Sequence, residues 1–294
     1  MIAYAMNLAT LIAINAILAI TLNFIMGYAG IFSLAHALFF GVGAYTAAWV
    51  ALHVSSGFFI AVPAAVLLAA LLSLALALPA LRVRGEYFVA ASLGLQVVGA
   101  TIFAEWKSVT GGIGGVIGIP PVQFFGMAVS DPAAFLVLAL VCLGLVIAIS
   151  HALVRASFGR SLTAIRDSES AASAYGKNVA RIKTLAVVLS SGLSAIAGAL
   201  YAFYLSFINV ESFTLDTSIL LMAMVIIGGT GTLMGPIVGT VLLMLLPAGL
   251  SYLWFLPPTE IGSLQQVIYG SLMVLLMIFR PGGLIGSRSL AERK

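Results

Sequence analysis

MIAYAMNLATLIAINAILAITLNFIMGYAGIFSLAHALFFGVGAYTAAWVALH, residues 1–53, contains no Asp, Glu, Lys or Arg, and the first charged side chain of the chain is Arg82. A membrane span needs about 20 mostly apolar residues. The quoted stretch is long enough for two, parted at Gly27-Tyr28-Ala29-Gly30. A cleavable signal peptide would open on a short basic region, and residues 1–27 carry no charge, so they read as a retained span.

Working outward, 62% of the 294 residues are hydrophobic and 7% are charged, where an ordinary soluble domain has about a quarter charged. In lipid the backbone must satisfy its own hydrogen bonds, which leaves helices as the spanning element for apolar runs of this length. The expectation is an all-α, polytopic transmembrane bundle of about 8–10 spans, forming one transmembrane domain over residues 1–294. Apolar runs place the spans near 5–27, 32–54, 58–81, 87–106, 133–153, 184–207, 217–229, 233–256 and 263–280. The run at 217–229 is short and reads as a broken span or a half-helix.

Apart from Lys107, every basic residue falls in one of three groups: Arg82 and Arg84; Arg155, Arg160, Arg166, Lys177, Arg181 and Lys183; and Arg280, Arg288, Arg293 and Lys294. Even numbers of spans separate the groups, so all three lie on one side, which the positive-inside rule makes cytoplasmic. The N-terminus is then outside, the C-terminus inside, and residues 155–183 form a cytoplasmic loop. The pI near 9.3 follows from this loop bias and gives no reason to expect a nucleic-acid partner.

The residues offer little for catalysis. A phosphate-binding loop needs G-x-x-x-x-G-K-[ST], and around Gly176-Lys177 the chain has Ala171 in the first Gly position and Asn178 in the Ser/Thr position. His36, His53 and His151 are scattered, with no H-E-x-x-H. The lone Cys142 excludes disulfides and cysteine-cluster metal sites. Gly192-Leu193-Ser194, with His151 as base, is the enzyme alternative, an intramembrane serine hydrolase; a passive channel is the other rival.

Polar groups at membrane depth are expensive. Asn23, His36, Gln96 and Asn15 sit in apolar spans and either hydrogen-bond neighbouring helices or line a route for a polar solute. Ser33 and Phe40 accompany them as candidates for that route. Gly231, Gly235 and Gly239 recur at a spacing that puts small residues on one helical face and allows close helix packing. No Asp, Glu, Lys or Arg lies mid-span, so energy for uphill transport would come from another chain. In the 155–183 loop, Ser161 reads as a helix cap and Gly176 as a stop, with Leu162, Ile165, Ala172 and Tyr175 as an apolar stripe suited to a partner's groove or to the lipid surface.

Six segments in order carry a family resemblance: GYAGIFSLAHALFFGVGAY from Gly27, EYFVAASLGLQ from Glu86, TGGIGGVIGIP from Thr110, FGRSLTAIRDSESAASAYG from Phe158, MVIIGGTGTLMGP from Met224 and MIFRPGGLIG from Met277. With these the chain resembles the permease subunits of branched-chain amino-acid ABC importers, the LivM/LivH type and nearest LivM. Ile31, Ala35 and Gly114 depart from residues common in that family, and relatives also serve urea and short amides.

The resemblance implies a type II ABC importer-like permease in a bacterial inner membrane that is not itself an enzyme. It implies a second LivH-like permease chain, two cytoplasmic ATPases that bind ATP and Mg, a periplasmic binding protein and surrounding lipid. The coupling helix of such permeases would contact the ATPase through Gly159, Arg160, Ala164, Ile165, Arg166, Glu169, Ala171, Ala172 and Gly176. No cofactor is implied for this chain.

Overall fold

The computed structural model describes residues 2–80, 86–124, 127–129, 131–250, 261–279 and 282–285. Arg82, Arg84, Arg280, Arg288, Arg293 and Lys294, on which two of the three basic groups rest, lie outside them.

In chain order the helices are α1 (Ile2–Asn23), α2 (His36–His53), α3 (Phe58–Ala80), α4 (Glu86–Glu105), α5 (Lys107–Thr110), α6 (Pro132–Arg155), α7 (Ser157–Asp167), α8 (Glu169–Ala174), α9 (Val179–Leu205), α10 (Leu215–Gly228), α11 (Gly235–Leu250) and α12 (Ile261–Phe279). The long ones fall where the apolar runs place spans. Among the described residues, α1 with its extension to Tyr28, α4, α6 and α9 are each long and apolar enough to cross a bilayer. The chain is a multi-pass membrane protein.

The centre of the bundle is α1, α2 and α9. Helix α9 packs along α2 and α3, and α1 packs along α6. The α2–α9 crossing is close because Gly43 faces the backbone of Ala195 and Gly198 faces the Phe40 carbonyl; a Cβ at either glycine would collide. Small residues let backbones approach in this way, since lipid supplies no hydrophobic drive between helices. Helices α4 and α6 lie at the periphery with apolar side chains such as Val97, Val98, Val141 and Leu145 exposed.

The end of the bundle opposite the 155–178 connection is closed by short strands. The strand β1 (Val116–Ile117) pairs antiparallel with β4 (Phe207–Ile208), and β2 (Gln123–Phe124) pairs with β3 (Met127–Ala128). From β4 the chain turns back into the bundle through a 3₁₀ turn, Val210–Phe213. Phe213 is fully buried, and its carbonyl accepts from Gln96, halfway along α4. Helix α10 therefore starts at mid-depth, and its 14 residues, about 21 Å long, suffice to reach the other end. The short span expected at 217–229 is α10, and the irregular backbone leading into it is anchored by the buried side chains of Ile208 and Phe213.

Candidate functional site

Two breaks organise the polar groups. The first is the passage from α1 to α2. The last turn of α1 widens into a π-helix, Phe24–Tyr28. The chain then turns at Gly30 (φ +68°), with the Ile31 N–H donating to the Ile25 carbonyl at 2.9 Å. Residues 29–35 are non-helical and largely buried, so their amides and those of the first turn of α2 need partners from elsewhere.

Side chains from two helices supply most of them. Ser92 of α4 accepts from Leu34 N at 3.0 Å, Ser218 of α10 from Ala37 N at 3.0 Å, and the Gln96 Oε1 from Leu38 N at 3.0 Å, while Gln96 Nε2 donates to Phe213 O at 2.7 Å. Ser33 Oγ accepts from Ala35 N at 3.3 Å. His36 Nε2 lies 3.0 Å from Thr21 Oγ1. The Thr21 proton goes to the Leu18 carbonyl, which leaves Nε2 as the donor. Phe40 meets Tyr201 and Phe213 edge to face, with centroids 5.2 and 5.0 Å away. Thus Ser33, His36, Phe40 and Gln96 gather around the start of α2, each polar group already hydrogen-bonded within the chain. Asn15 is separate and bonds the Leu11 carbonyl of its own helix.

Asn23 belongs to the second break, the turn between α10 and α11. Its Oδ1 accepts from Gly231 N at 2.9 Å and its Nδ2 donates to Thr232 O at 2.8 Å. Gly27 lies directly against Gly231, where a Cβ would strike Asn23 Oδ1 and Gly231 N. The two glycine-rich interruptions, far apart in sequence, are therefore one contact in space.

Gly231 does not share a helical face with Gly235 and Gly239. It sits in the turn with φ +76°, outside the right-handed helical region, and α11 begins only at Gly235. Gly235 and Gly239 do lie at a close approach, against the backbones of Gly228–Gly229 and Met224. The C-terminal stretch closes the same corner, with Leu284 N and Ile285 N donating to the carbonyls of Ile227 and Gly228.

The 155–183 connection folds as two short helices rather than one. Ser161 is no cap: it lies inside α7, its Oγ donating to Ser157 O at 2.9 Å. The caps are Ser168, which accepts from Ala171 N and starts α8, and Asn178, which accepts from Arg181 N and starts α9. Gly176 ends α8 with φ +77°. The apolar stripe does not form one outward face, because Leu162 and Ile165 are 0% and 1% exposed, and Ala172 is also buried, while Tyr175 is 87% exposed. A stripe at helical spacing marks a face that is covered, and here the bundle covers most of it.

Of the nine coupling candidates, Arg160, Ala164, Glu169, Ala171 and Gly176 are exposed, Gly159, Ile165 and Ala172 are buried, and Arg166 is half-buried. Arg166 turns inward. Its Nη1 donates to the Gly27 carbonyl at 2.7 Å, and its Nε and Nη2 contact Asp167 Oδ1 at 3.3 and 3.2 Å. Glu169 pairs with Lys183 of α9. In α9, the Ser194 hydroxyl donates to Ser191 O at 2.8 Å and among the described residues has no bond to His151, so the nucleophile–base pair needed by a hydrolase is not assembled.

Sequence reasoning did not single out Thr21, Ser92, Ser190, Ser218 or Gly198. Hydroxyls in apolar helices commonly bond a carbonyl of their own helix, so their cross-helix roles have no distinct sequence signal.

The profile of the family described as "Branched-chain amino acid transport system / permease component" matches residues 4–277. LivM, the high-affinity branched-chain amino acid transport system permease protein of Escherichia coli K12, is 30% identical over 95% of this chain and 69% of its own length. The same protein of Salmonella typhimurium LT2 is 30% identical over 96% of this chain and 70% of its own. A probable LivM of Methanocaldococcus jannaschii matches over 47% of this chain and 42% of its own. No solved structure matches. The profile spans almost the whole bundle, both breaks included, and the chain belongs to this family of transport-system permease components.

Proposed function

We propose that this chain is the membrane-spanning permease subunit of an ATP-driven importer for branched-chain or related amino acids, built with a second, LivH-like permease chain, two cytoplasmic ATPases and a periplasmic binding protein. The observation that carries the reading is the family match over residues 4–277. It is supported by the helical pair α7–α8, which stands between α6 and α9 with Arg160, Ala164, Ala171 and Tyr175 exposed. An ATPase cleft would receive that exposed face, while Leu162, Ile165 and Ala172 seat the pair on its own bundle.

In this reading the N-terminus is outside, the C-terminus is cytoplasmic, and the protein resides in a bacterial inner membrane. ATP and Mg are held by the ATPases, and the permease contributes the alternating route.

Reconstitution of the full complex in liposomes tests the proposal. Labelled leucine, isoleucine or valine should accumulate only with ATP and loaded binding protein, and the loaded binding protein should stimulate hydrolysis. Uptake of urea or a short amide in place of these amino acids would move the substrate to that class. Solute flux without nucleotide would make the chain a channel and overturn the proposal.

A further inference from the structure

We propose that Arg166 and Asn23 are positioning residues of the transport step, which together make α7, the wide turn ending α1 and the α10–α11 turn move as one unit. The inference rests on the permease reading above.

Five observations converge on this. Gly27 lies in the closing turn of α1, where carbonyls lose their intrahelical donors. The Ile31 N–H passes over Gly27 to reach Ile25, and Arg166 Nη1 donates to the Gly27 carbonyl at 2.7 Å. Asp167 contacts the other guanidinium nitrogens and fixes the orientation of the fork. An apolar contact runs beside the polar one, with Phe24 stacked on Phe158 of α7 at 6.3 Å between centroids.

Asn23, 0% exposed, uses both ends of its amide on the α10–α11 turn, as acceptor from Gly231 N and donor to Thr232 O. Finally, Gly27 has no room for a Cβ, which would strike the Gly231 backbone, so the two segments are in direct backbone contact. A π-turn is a wide, irregular stretch that recurs at functional sites. Here it is gripped from one side by α7 and from the other by the α10–α11 turn. A displacement of α7 would therefore reach α1, α10 and α11 together.

The inward direction of Arg166 separates this from a role in docking. A docking residue would face outward with Tyr175; Arg166 faces Gly27, and Asn23 is fully buried. The test measures solute moved per ATP hydrolysed in the same liposomes of the reconstituted complex. Asn23→Ala and Arg166→Gln should retain ATPase binding and hydrolysis while solute per ATP falls about tenfold or more, and Arg166→Lys, which keeps one donor for Gly27, should recover most of it. Wild-type solute per ATP in Asn23→Ala would overturn the inference, whereas a wild-type complex with neither uptake nor stimulated hydrolysis would overturn the permease reading itself.

A second measurement does not depend on those variants folding. Phe24→Cys with Phe158→Cys, in a Cys142→Ser background, is bridged by a short bis-methanethiosulfonate reagent, which forms a disulfide to each cysteine with loss of methanesulfinate and is cleaved by reductant. Uptake within about twofold of the unbridged protein fits one moving unit. Uptake abolished by the bridge and restored by reductant would show that the π-turn and α7 part during the cycle, which overturns the inference.

Discussion

Replacing Gln96 by Leu separates two roles that a polar residue at membrane depth can have. The side chain is 1% exposed, and the two residues have similar volumes, so the change creates no cavity to speak of. It removes the partners of Leu38 N and Phe213 O. Leu38 is the third residue of α2, so its N–H has no acceptor within the helix; Phe213 precedes α10 in irregular backbone.

A buried polar group left unpaired costs about 1–3 kcal/mol in soluble proteins, but hydrogen bonds between membrane helices average about 0.6 kcal/mol and reach about 1.7. Two such losses give about 1–4 kcal/mol, toward the lower end if the groups find other helix partners. The assay is thermal or denaturant unfolding of the purified protein in detergent, paired with the KM for uptake in the reconstituted complex. Lower stability with an unchanged KM is the expected result. Wild-type stability with an altered KM would refute the capping argument and return Gln96 to the solute route.

Gly198→Leu should abolish the α2–α9 approach and with it monodisperse protein by size-exclusion chromatography, whereas Gly144→Ala, at a glycine with open space around it, should leave the elution profile unchanged. Tyr175→Ala should leave the melting temperature unchanged, since the ring is exposed, and should weaken co-purification of the ATPases if α7–α8 presents its outer face to them. Glu169→Ala removes the pair with Lys183; the effect on global stability should be under about 1 kcal/mol, but the α8–α9 connection should become more open to trypsin at Lys177 and Arg181, read as a faster first cut. A fluorophosphonate probe should leave Ser194 unlabelled, because its hydroxyl bonds within α9.

Helix existence was legible because lipid reduces the choice of structure to one for each long apolar run, and the runs from 5–27 to 263–280 needed only their polar edges to be located. The breaks were legible as glycine clusters at 27–30 and 228–239. Their meeting in space was not, since nothing local to Asn23 names Gly231 as its partner. Spacing also misplaced Gly231: intervals of four suggest one helical face, but the interval cannot tell where a helix begins, and α11 begins only at Gly235.

The loop shows a subtler failure. Leu162 and Ile165 were legible as apolar and periodic, yet periodicity reports that a face is covered and not by whom. The bundle of the same chain covers it. Deleting 161–176 would therefore strip apolar cover from the bundle as well as remove a docking surface, and a substitution at exposed Tyr175 isolates docking more cleanly.

The caps on the start of α2 carry a mechanical consequence. Non-helical backbone within a membrane bundle is stable only where something else satisfies its amides, and here the donors at Leu34, Ala37 and Leu38 are held by Ser92, Ser218 and Gln96. Helices α4 and α10 thus cannot shift relative to α2 without uncapping it. His36 and Thr21 tie α2 to α1, and Ser190 of α9 donates to the Thr21 carbonyl at 2.6 Å. Where helices are interrupted, buried polar side chains such as Asn23, Ser92, Gln96 and Ser218 fix each break to its neighbours by directional bonds. A motion that leaves those bonds intact must carry α1, α2, α4, α9 and α10 as a group. The exposed side chains Leu67 and Leu71 of α3 and Val141 and Leu145 of α6 take no part in this network.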